Sequence, residues 1–143
     1  MEPILKVADL SKAFSRAGRD AFFAVDHVSF EVQPGEILGI VGESGSGKST
    51  IARLITRQID ATGGQIFIDG QDITRLRGRD LIPVYAKIQM VFQSPADSFD
   101  PRRTLGDGIC ESLRNKGVPK AEREAKARAL LESCGLPATF LAR

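Results

Sequence analysis

Residues 37–50 read ILGIVGESGSGKST, and this stretch decides the fold. Residues 42–49 match the pattern G-x-x-x-x-G-K-[ST] in full, which is typical of a loop that binds phosphate groups. The run before it, Ile37–Val41, is apolar throughout, and this predicts a strand buried on both faces of a parallel sheet. Three apolar residues after it recur at helical spacing on one face: Ile51, Leu54 and Ile55. A buried strand, a phosphate loop and a helix in this order predict an α/β fold.

Each residue type in the loop suits phosphate binding for a physical reason. Glycines lack a Cβ, so successive backbone N–H groups can turn inward around an anion, and the following helix adds the positive end of its dipole. Lys48 would bring a charge to the β- and γ-phosphates and act catalytically, and Ser49 would offer a hydroxyl to Mg²⁺. The predicted nucleotide-binding residues are Gly42, Glu43, Ser44, Gly45, Ser46, Gly47, Lys48, Ser49 and Thr50.

Composition narrows the possible classes of protein. The chain has 143 residues, 42% hydrophobic and 27% charged, which suits one soluble globular domain and argues against a disordered chain. Its 20 basic and 18 acidic residues give a net charge of +2, and so small a charge argues against nucleic acid as the main partner. No apolar run approaches the ~20 residues that span a bilayer. Cys110 and Cys134 belong to neither a disulfide framework nor a zinc motif.

Two other glycine-containing motifs are excluded by their spacing. A dinucleotide-binding loop needs G-x-G-x-x-G, but Thr50 stands where the third glycine would be. A hydrolase nucleophile elbow needs G-x-S-x-G, but Ser46 replaces its last glycine. The single histidine, His27, lies upstream of these serines and is predicted to be a structural strand residue.

Periodicity and turn residues predict the other strands of the chain. The predicted strands are Ile4–Leu10, Phe22–Val32, Gln65–Ile68, Gln71–Ile73 and Lys87–Gln93. Ser15–Asp20 is predicted as a loop, and the turn at Gln33–Glu36 predicts antiparallel pairing of the strands that flank it. Asp69 and Gly70 predict a tight hairpin turn.

The last third of the chain is predicted to be helical after a loop. Two prolines and two aspartates indicate a loop over Ser94–Arg103. Thr104 has the character of a helix N-cap, and a second helix is predicted from Pro119 to Gly135.

Two longer segments carry a specific resemblance. GESGSGKST follows VSFEVQPGEILGIV, and a later segment reads IQMVFQSPADSFDPRRTL. Together they resemble ABC transporter ATP-binding subunits of the dipeptide, oligopeptide or nickel importer type, along essentially the whole chain. The resemblance implies an incomplete ABC nucleotide-binding domain of the P-loop NTPase class. Residues 1–93 would hold an antiparallel β subdomain and the phosphate-loop strand and helix, and residues 94–143 would begin the helical subdomain.

The resemblance also implies roles for residues outside the phosphate loop. Gln93 matches the Q-loop glutamine, which contacts Mg²⁺ or the attacking water. Phe14 matches the aromatic residue that stacks on adenine, and Phe22 and Phe23 are nearby alternatives. The segment Ser94–Arg103 lies where such subunits meet their membrane permeases.

The same resemblance sets expectations about assembly. The cofactors would be ATP and Mg²⁺, and the further partners would be a second ATP-binding subunit, identical or different, and indirectly a solute-binding protein. The location would be peripheral, at the cytoplasmic face of the membrane.

Several parts of a complete ABC ATPase are not found in the sequence. These are an acidic residue closing a second buried strand, an LSGGQ-type signature and a switch histidine. The chain is therefore interpreted as an N-terminal fragment that binds nucleotide but does not hydrolyse it alone, with Ile37–Val41 left as an exposed apolar edge. A binding module that never hydrolyses nucleotide and a different P-loop enzyme are the alternatives.

Overall fold

The computed structural model describes residues 2–16, 19–95 and 99–143. The chain forms two compact units, Met1–Met90 and Val91–Arg143. The first unit contains β1 (Leu5–Arg16), β2 (Arg19–Val32), α1 (Lys48–Ile55), β3 (Gly63–Ile68), β4 (Gln71–Asp72), a 3-10 turn (Gly78–Leu81) and α2 (Ile82–Tyr85). The second unit contains α3 (Leu105–Ile109), α4 (Glu111–Asn115), α5 (Lys120–Ser133) and a 3-10 turn (Ala138–Ala142).

The sheet of the first unit has the order β2-β1-β3-β4, and every pair is antiparallel. One face of this sheet is apolar and packs with the apolar stripe of α1, which is how an amphipathic helix buries its surface. The buried core is formed by Val7, Leu10, Val25, Ile51, Leu54, Ile66, Ile68, Ile73 and Val84. This core fixes the start of α1, and with it the phosphate loop, against the sheet.

The predicted hairpin at Asp69 and Gly70 is confirmed. The two residues have φ angles of 47° and 74°, and β3 pairs antiparallel with β4 across them. A two-residue turn with positive φ at both positions matches the right-handed twist of the strands, which is why Asp-Gly favours it. The Asp69 carboxylate accepts a hydrogen bond from Lys87 at 2.7 Å, and this contact helps to hold the turn in place.

Two predicted strands are wrong. Ile37–Val41 and Lys87–Gln93 form no strand, and the exposed fractions of Ile37, Val41 and Val91 are 96%, 96% and 89%. A strand needs a neighbour for its backbone hydrogen bonds, and the four described strands satisfy one another in antiparallel pairs. The expected antiparallel pairing after the turn at Gln33–Glu36 and the expected burial of Ile37–Val41 are therefore also wrong. The run is exposed, as an unpaired segment and not as the edge of a sheet.

The predicted loop over Ser15–Asp20 is wrong at both ends. β1 continues to Arg16 and β2 begins at Arg19, and these two residues pair. Backbone pairing extends the hairpin here although its side chains are polar, because ladder hydrogen bonds do not depend on the side chain. Residues 17–18 lie outside the described residues.

The predicted helix signals of the second unit are confirmed. The Thr104 hydroxyl accepts a hydrogen bond from the backbone N–H of Asp107 at 3.1 Å and donates to its carboxylate at 2.9 Å. This hydroxyl also lowers the pKa of Asp107. α5 follows Pro119, and Gly135 after its end has a φ of 74°, as a glycine beyond a helix C-terminus commonly does. In the described ranges, no helix is long and apolar enough to cross a bilayer.

His27 does lie in a strand, as predicted, at an irregular point of the β1–β2 pair. His27 and Asp9 both have positive φ, 49° and 54°, and the Nδ1 of His27 lies 2.7 Å from the Oδ1 of Asp9. The backbone N–H groups displaced by this irregularity donate to serine hydroxyls instead, from Asp9 to Ser29 and from His27 to Ser11. The side-chain pair therefore joins two bulged strands across the sheet.

Protonated His27 is expected to stabilise the folded chain. The hydrogen bond to Asp9, and then the charges of Asp9 and Asp26, raise the pKa of His27 above 6.5. The stabilisation is therefore fully present below about pH 6.5 and is lost as the pH rises through the raised pKa. Urea denaturation of wild type and His27→Gln from about pH 5 to pH 8 should show a small difference in unfolding free energy that shrinks as the pH rises. A constant or growing difference would refute this role.

Candidate nucleotide-binding site

The phosphate loop runs as an exposed turn into the first residues of α1. Within it, the Ser46 backbone N–H donates to the Glu43 carbonyl at 3.2 Å, which closes a tight turn. The Ile51 backbone N–H donates to the Gly47 carbonyl at 2.9 Å, so regular helical bonding begins at Gly47. The N–H groups of the first helical turn have no helical partner of their own, and they open toward the loop. The nine predicted residues thus form a tight turn that leads directly into the first turn of α1.

Gly47 is required by both its conformation and its surroundings. Its φ is 91°, and a Cβ placed on it would lie 2.1 Å from the backbone oxygen of Ala24 in β2. That distance is far inside van der Waals contact. The strand pairing explains the close approach, because Lys12 pairs with Val25 and Ala13 with Phe23, which leaves Ala24 as an extra, bulged residue. The end of the phosphate loop therefore rests on a β-bulge.

The other two glycines of the loop are less constrained. Gly45 has a φ of 82°, but a Cβ there would meet nothing within 4 Å. A Cβ on Gly42 would meet side-chain atoms alone, the nearest being the Ser46 hydroxyl at 2.8 Å. Gly45 is therefore needed for backbone conformation, whereas Gly47 is also needed for packing.

The Lys48 ammonium lies inside the loop. Its Nζ donates to the Gly42 carbonyl at 2.7 Å, to the Glu43 carbonyl and to the Ser46 hydroxyl at 3.1 Å. A full positive charge and the positive end of the α1 dipole thus meet at one point. Such an arrangement is suited to an anion of high charge density, for which the terminal phosphates of a nucleotide are the predicted ligand.

Ser49 is exposed in the first turn of α1, and Thr50 is half-buried beside it. Mg²⁺ commonly takes one or two protein oxygens and completes its shell with waters and substrate phosphates, so one exposed hydroxyl fits this ion. Among residues 2–16, 19–95 and 99–143, no cluster of three His, Cys, Asp or Glu side chains could hold a metal by itself. A metal here would depend on phosphate oxygens as well as on Ser49.

Phe14 lies in β1 directly opposite Phe22 in β2. The ring centroids are 5.8 Å apart with planes tilted by 31°, and the Lys12 ammonium lies over Phe14 at 5.1 Å from its centroid. Phe23, the other alternative, pairs with Ala13. The structure thus brings Phe14 and Phe22 together, and their role in base stacking stays a prediction.

Gln93 and the segment Ser94–Arg103 belong to the second unit. Gln93 lies in an exposed bend, and the described residues of the segment lie mostly in bends and a turn. Arg102 pairs with Asp100 at 3.0 Å, and this hydrogen bond lowers the pKa of Asp100. Residues 96–98 lie outside the described residues. The catalytic and Mg²⁺ roles of Gln93 and the permease contact of the segment stay predictions.

Comparison with known proteins decides the family. The family model described as ABC transporter matches residues 25–141, which include the phosphate loop and its helix. The chain belongs to the ABC transporter family.

The names of the curated relatives describe ATP-binding proteins of import systems. The chain is 42% identical over 137 residues to a peptide import ATP-binding protein of Brucella ovis, covering 94% of this chain and 43% of that protein. It is 43% identical over 143 residues to the glutathione import ATP-binding protein GsiA of Escherichia coli O157:H7, covering 94% of this chain and 23% of that protein.

Solved structures give the same ABC fold. The dimeric structure of the ATP-binding cassette MJ0796 in a post-hydrolysis state, bound to ADP and Pi, matches with a TM-score of 0.84 and 26% identity. The match covers 97% of this chain and 60% of that one. The predicted fold class is therefore confirmed as that of an ABC cassette, of which this chain carries the antiparallel sheet, the phosphate loop and helices. The chain spans less than half the length of the curated relatives named above.

The sequence predictions did not include two residues that contact the candidate site residues. Ala24 supports Gly47, and its small side chain between Phe23 and Val25 is the only sequence signal for a close approach. Lys12 lies two residues before Phe14 in the same strand, so alternation along β1 could have indicated their contact. The bulge that positions Ala24 has no signal in the sequence, because it depends on how two strands pair.

Proposed function

We propose that this chain is the nucleotide-binding part of an ATP-binding subunit that powers import of peptides or similar small solutes. The observation that carries the proposal is the Lys48 ammonium at the centre of a phosphate loop that rests on β2 and opens into α1. The import names of the curated relatives support the solute class. Family membership supports ATP as the nucleotide.

The phosphates and the base of the nucleotide would bind to two different parts of the first unit. Loop and helix N–H groups would hold phosphate oxygens, and Lys48 would neutralise the β- and γ-phosphates. When bound, Mg²⁺ would neutralise further phosphate charge, with Ser49 as its protein ligand. The base would stack on Phe14, since an aromatic face accepts any base.

The partners are proposed from the family. Membrane permeases would contact Ser94–Arg103, and a second ATP-binding subunit would face the phosphate loop. The dimeric state of the MJ0796 structures supports a pair of subunits. A solute-binding protein would act indirectly, and the subunit would lie peripherally at the cytoplasmic face. Gln93 would contact Mg²⁺ or the attacking water in such an assembly. Crosslinking from a photoreactive residue at Arg102 to copurified permease would test the contact, with the same probe at Lys126 as control.

Equilibrium dialysis with labelled ATP and Mg²⁺ tests the binding function. We expect one saturable site per chain, from which ADP and inorganic tripolyphosphate displace ATP, whereas AMP displaces it poorly. The reason is that loop and lysine recognise a chain of phosphates more than a base. Absence of saturable binding, or displacement by AMP as effective as by ATP, would reject the proposal.

A second candidate function is nucleotide binding without hydrolysis. The observation that favours it is the position of Asp69, the acidic residue that follows the apolar run at 66–68. Its carboxylate is engaged by Lys87 in a hairpin turn, so it does not stand ready at the end of a parallel strand. This candidate shares the phosphate site and differs only in the fate of the bound nucleotide.

The 143-residue chain alone is expected to release no phosphate from Mg-ATP above background. Phosphoryl transfer is catalysed by positioning and by charge stabilisation, and the phosphate loop supplies only part of both. The measurement is steady-state phosphate release at saturating Mg-ATP, with Lys48→Ala as the control for contaminating ATPases. Turnover of about 1 s⁻¹, within the usual enzyme range, that disappears in Lys48→Ala would contradict this expectation.

A further inference from the structure

The second unit contains a cavity of about 530 Å³, formed by α3, α4, α5 and the 3-10 turn at Ala138–Ala142. A volume in this range suits a small organic molecule. Every residue that lines the cavity falls within residues 104–142, so this unit forms it alone. The cavity shares no residue with the phosphate loop, and the proposed nucleotide binding makes no use of it.

The least exposed residues that line the cavity are apolar. Ala127 of α5 is buried, as is Cys110 between α3 and α4. The Cys110 thiol donates to the Arg123 carbonyl at 3.6 Å, which joins this point to α5. A Cβ on Gly106 would lie 2.7 Å from the Leu141 backbone oxygen, so the glycine lets the 3-10 turn approach α3 closely. Contacts among α3, α5 and the turn therefore hold an apolar wall in place.

The charged residues that line the cavity have an excess of positive charge. Four are basic and two are acidic: Arg114, Lys120, Arg123, Arg128, Asp107 and Glu124. Asp107 lies 4.0 Å from Arg114, and Glu124 lies 3.6 Å from Lys120. Across the part of the chain that the structure describes, no carboxylate lies within 4.0 Å of the guanidinium of Arg123 or Arg128. Two guanidinium groups are therefore left to pair with an anion.

We propose that this cavity binds a carboxylate that carries an apolar chain. Arg123 and Arg128 would hold the carboxylate, because the planar guanidinium group matches the two oxygens of this anion. The chain would lie against Ala127 and Cys110, where leaving water stabilises it. The ligand needs both parts, since ion pairs to exposed side chains contribute little by themselves. This binding is independent of the proposed nucleotide-binding function.

Calorimetric titration with octanoate tests the proposal. Octanol has the same chain without the charge, and acetate has the charge with almost no chain. We expect one saturable octanoate site per chain and binding at least about tenfold weaker for octanol and acetate. Octanoate should also shift the backbone amide signals of Ala127 and Leu141, and leave those of Gly45 and Gly47 unmoved.

Variants of α5 and of the 3-10 turn locate the site. Arg128→Ala should weaken octanoate about fivefold or more, because it removes a cation that lines the cavity. Lys126→Ala is the charge-matched control, since Lys126 lies in the same helix, pairs with Glu122 at 2.6 Å and is not part of the lining; it should change the affinity by less than about twofold. Ala138→Leu adds a larger apolar side chain to the wall and should exclude octanoate.

Each contrary result would overturn the proposal. These results are absence of saturable octanoate binding, octanol binding as tight as octanoate, and equal losses in Arg128→Ala and Lys126→Ala. Amide shifts confined to the exposed run 37–41 would also overturn it, because the ligand would then bind elsewhere. If Ala138→Leu fails to fold by circular dichroism, Arg128→Gln removes the charge while keeping a long polar side chain, and it should still weaken octanoate. No nucleotide is present in these titrations, so their failure leaves the proposed function untouched.

Discussion

Replacing Gly47 with alanine is expected to lower the free energy of unfolding by about 2–5 kcal/mol and to displace the phosphate loop. The φ of 91° is strained for any residue with a Cβ, and that Cβ would lie 2.1 Å from the backbone oxygen of Ala24. A backbone oxygen cannot rotate away as a side chain can, so either the loop or β2 must shift. Urea denaturation followed by circular dichroism measures the loss.

Gly45→Ala is the matched control for this variant. Gly45 shares a positive φ, 82°, but a Cβ there would meet nothing within 4 Å. It should therefore lose only the conformational part, on the order of 1 kcal/mol. Equal losses in the two variants, or a Gly47→Ala chain as stable as wild type, would show that the contact with Ala24 does not support the loop.

Replacing Lys48 with alanine is expected to weaken Mg-ATP binding by about 2–3 kcal/mol, or roughly 30- to 150-fold. The variant removes the full positive charge that hydrogen bonds to Gly42 and Ser46 hold inside the loop. Its fold should persist, since the loop carbonyls that lose the ammonium are exposed and can bond to water. Calorimetry gives the affinity of each chain.

Lys6→Ala is the charge-matched control for Lys48→Ala. Lys6 lies in β1 of the same unit, is 48% exposed and pairs with Glu31 at 3.0 Å. Its removal changes the net charge equally but should leave ATP affinity within about twofold, because exposed charges are screened. A similar loss in both variants would mean that overall charge, and not the position of Lys48, governs binding.

Features that depend on neighbouring residues could be predicted from the sequence. The Asp69 and Gly70 turn needs only two residues that tolerate positive φ, and the Thr104 cap needs only the N–H of Asp107. The phosphate loop is equally local, because its nine residues are contiguous and its glycines and lysine act on one another. Sequence patterns are most informative where the interacting groups lie within one turn of chain.

Features that depend on distant partners could not be predicted. The apolar run Ile37–Val41 indicates a segment suited to burial, but its composition does not say which strand lies beside it. The strand predicted over Lys87–Gln93 is absent for the same reason. The close approach of Gly47 to the Ala24 backbone arises from a register shift between β1 and β2. A one-residue shift in pairing cannot be recognised from the sequence of either strand.

Backbone amide chemical shifts measured during a Mg-ATP titration test most directly whether the loop holds the phosphates. The amides of Gly45, Gly47, Lys48 and Ser49 should shift together and saturate at the same ligand concentration, because their N–H groups would donate to phosphate oxygens. Tripolyphosphate should reproduce these shifts, and AMP should not at equal concentration. Saturating ATP that leaves these four amides unmoved while shifting others would contradict the account.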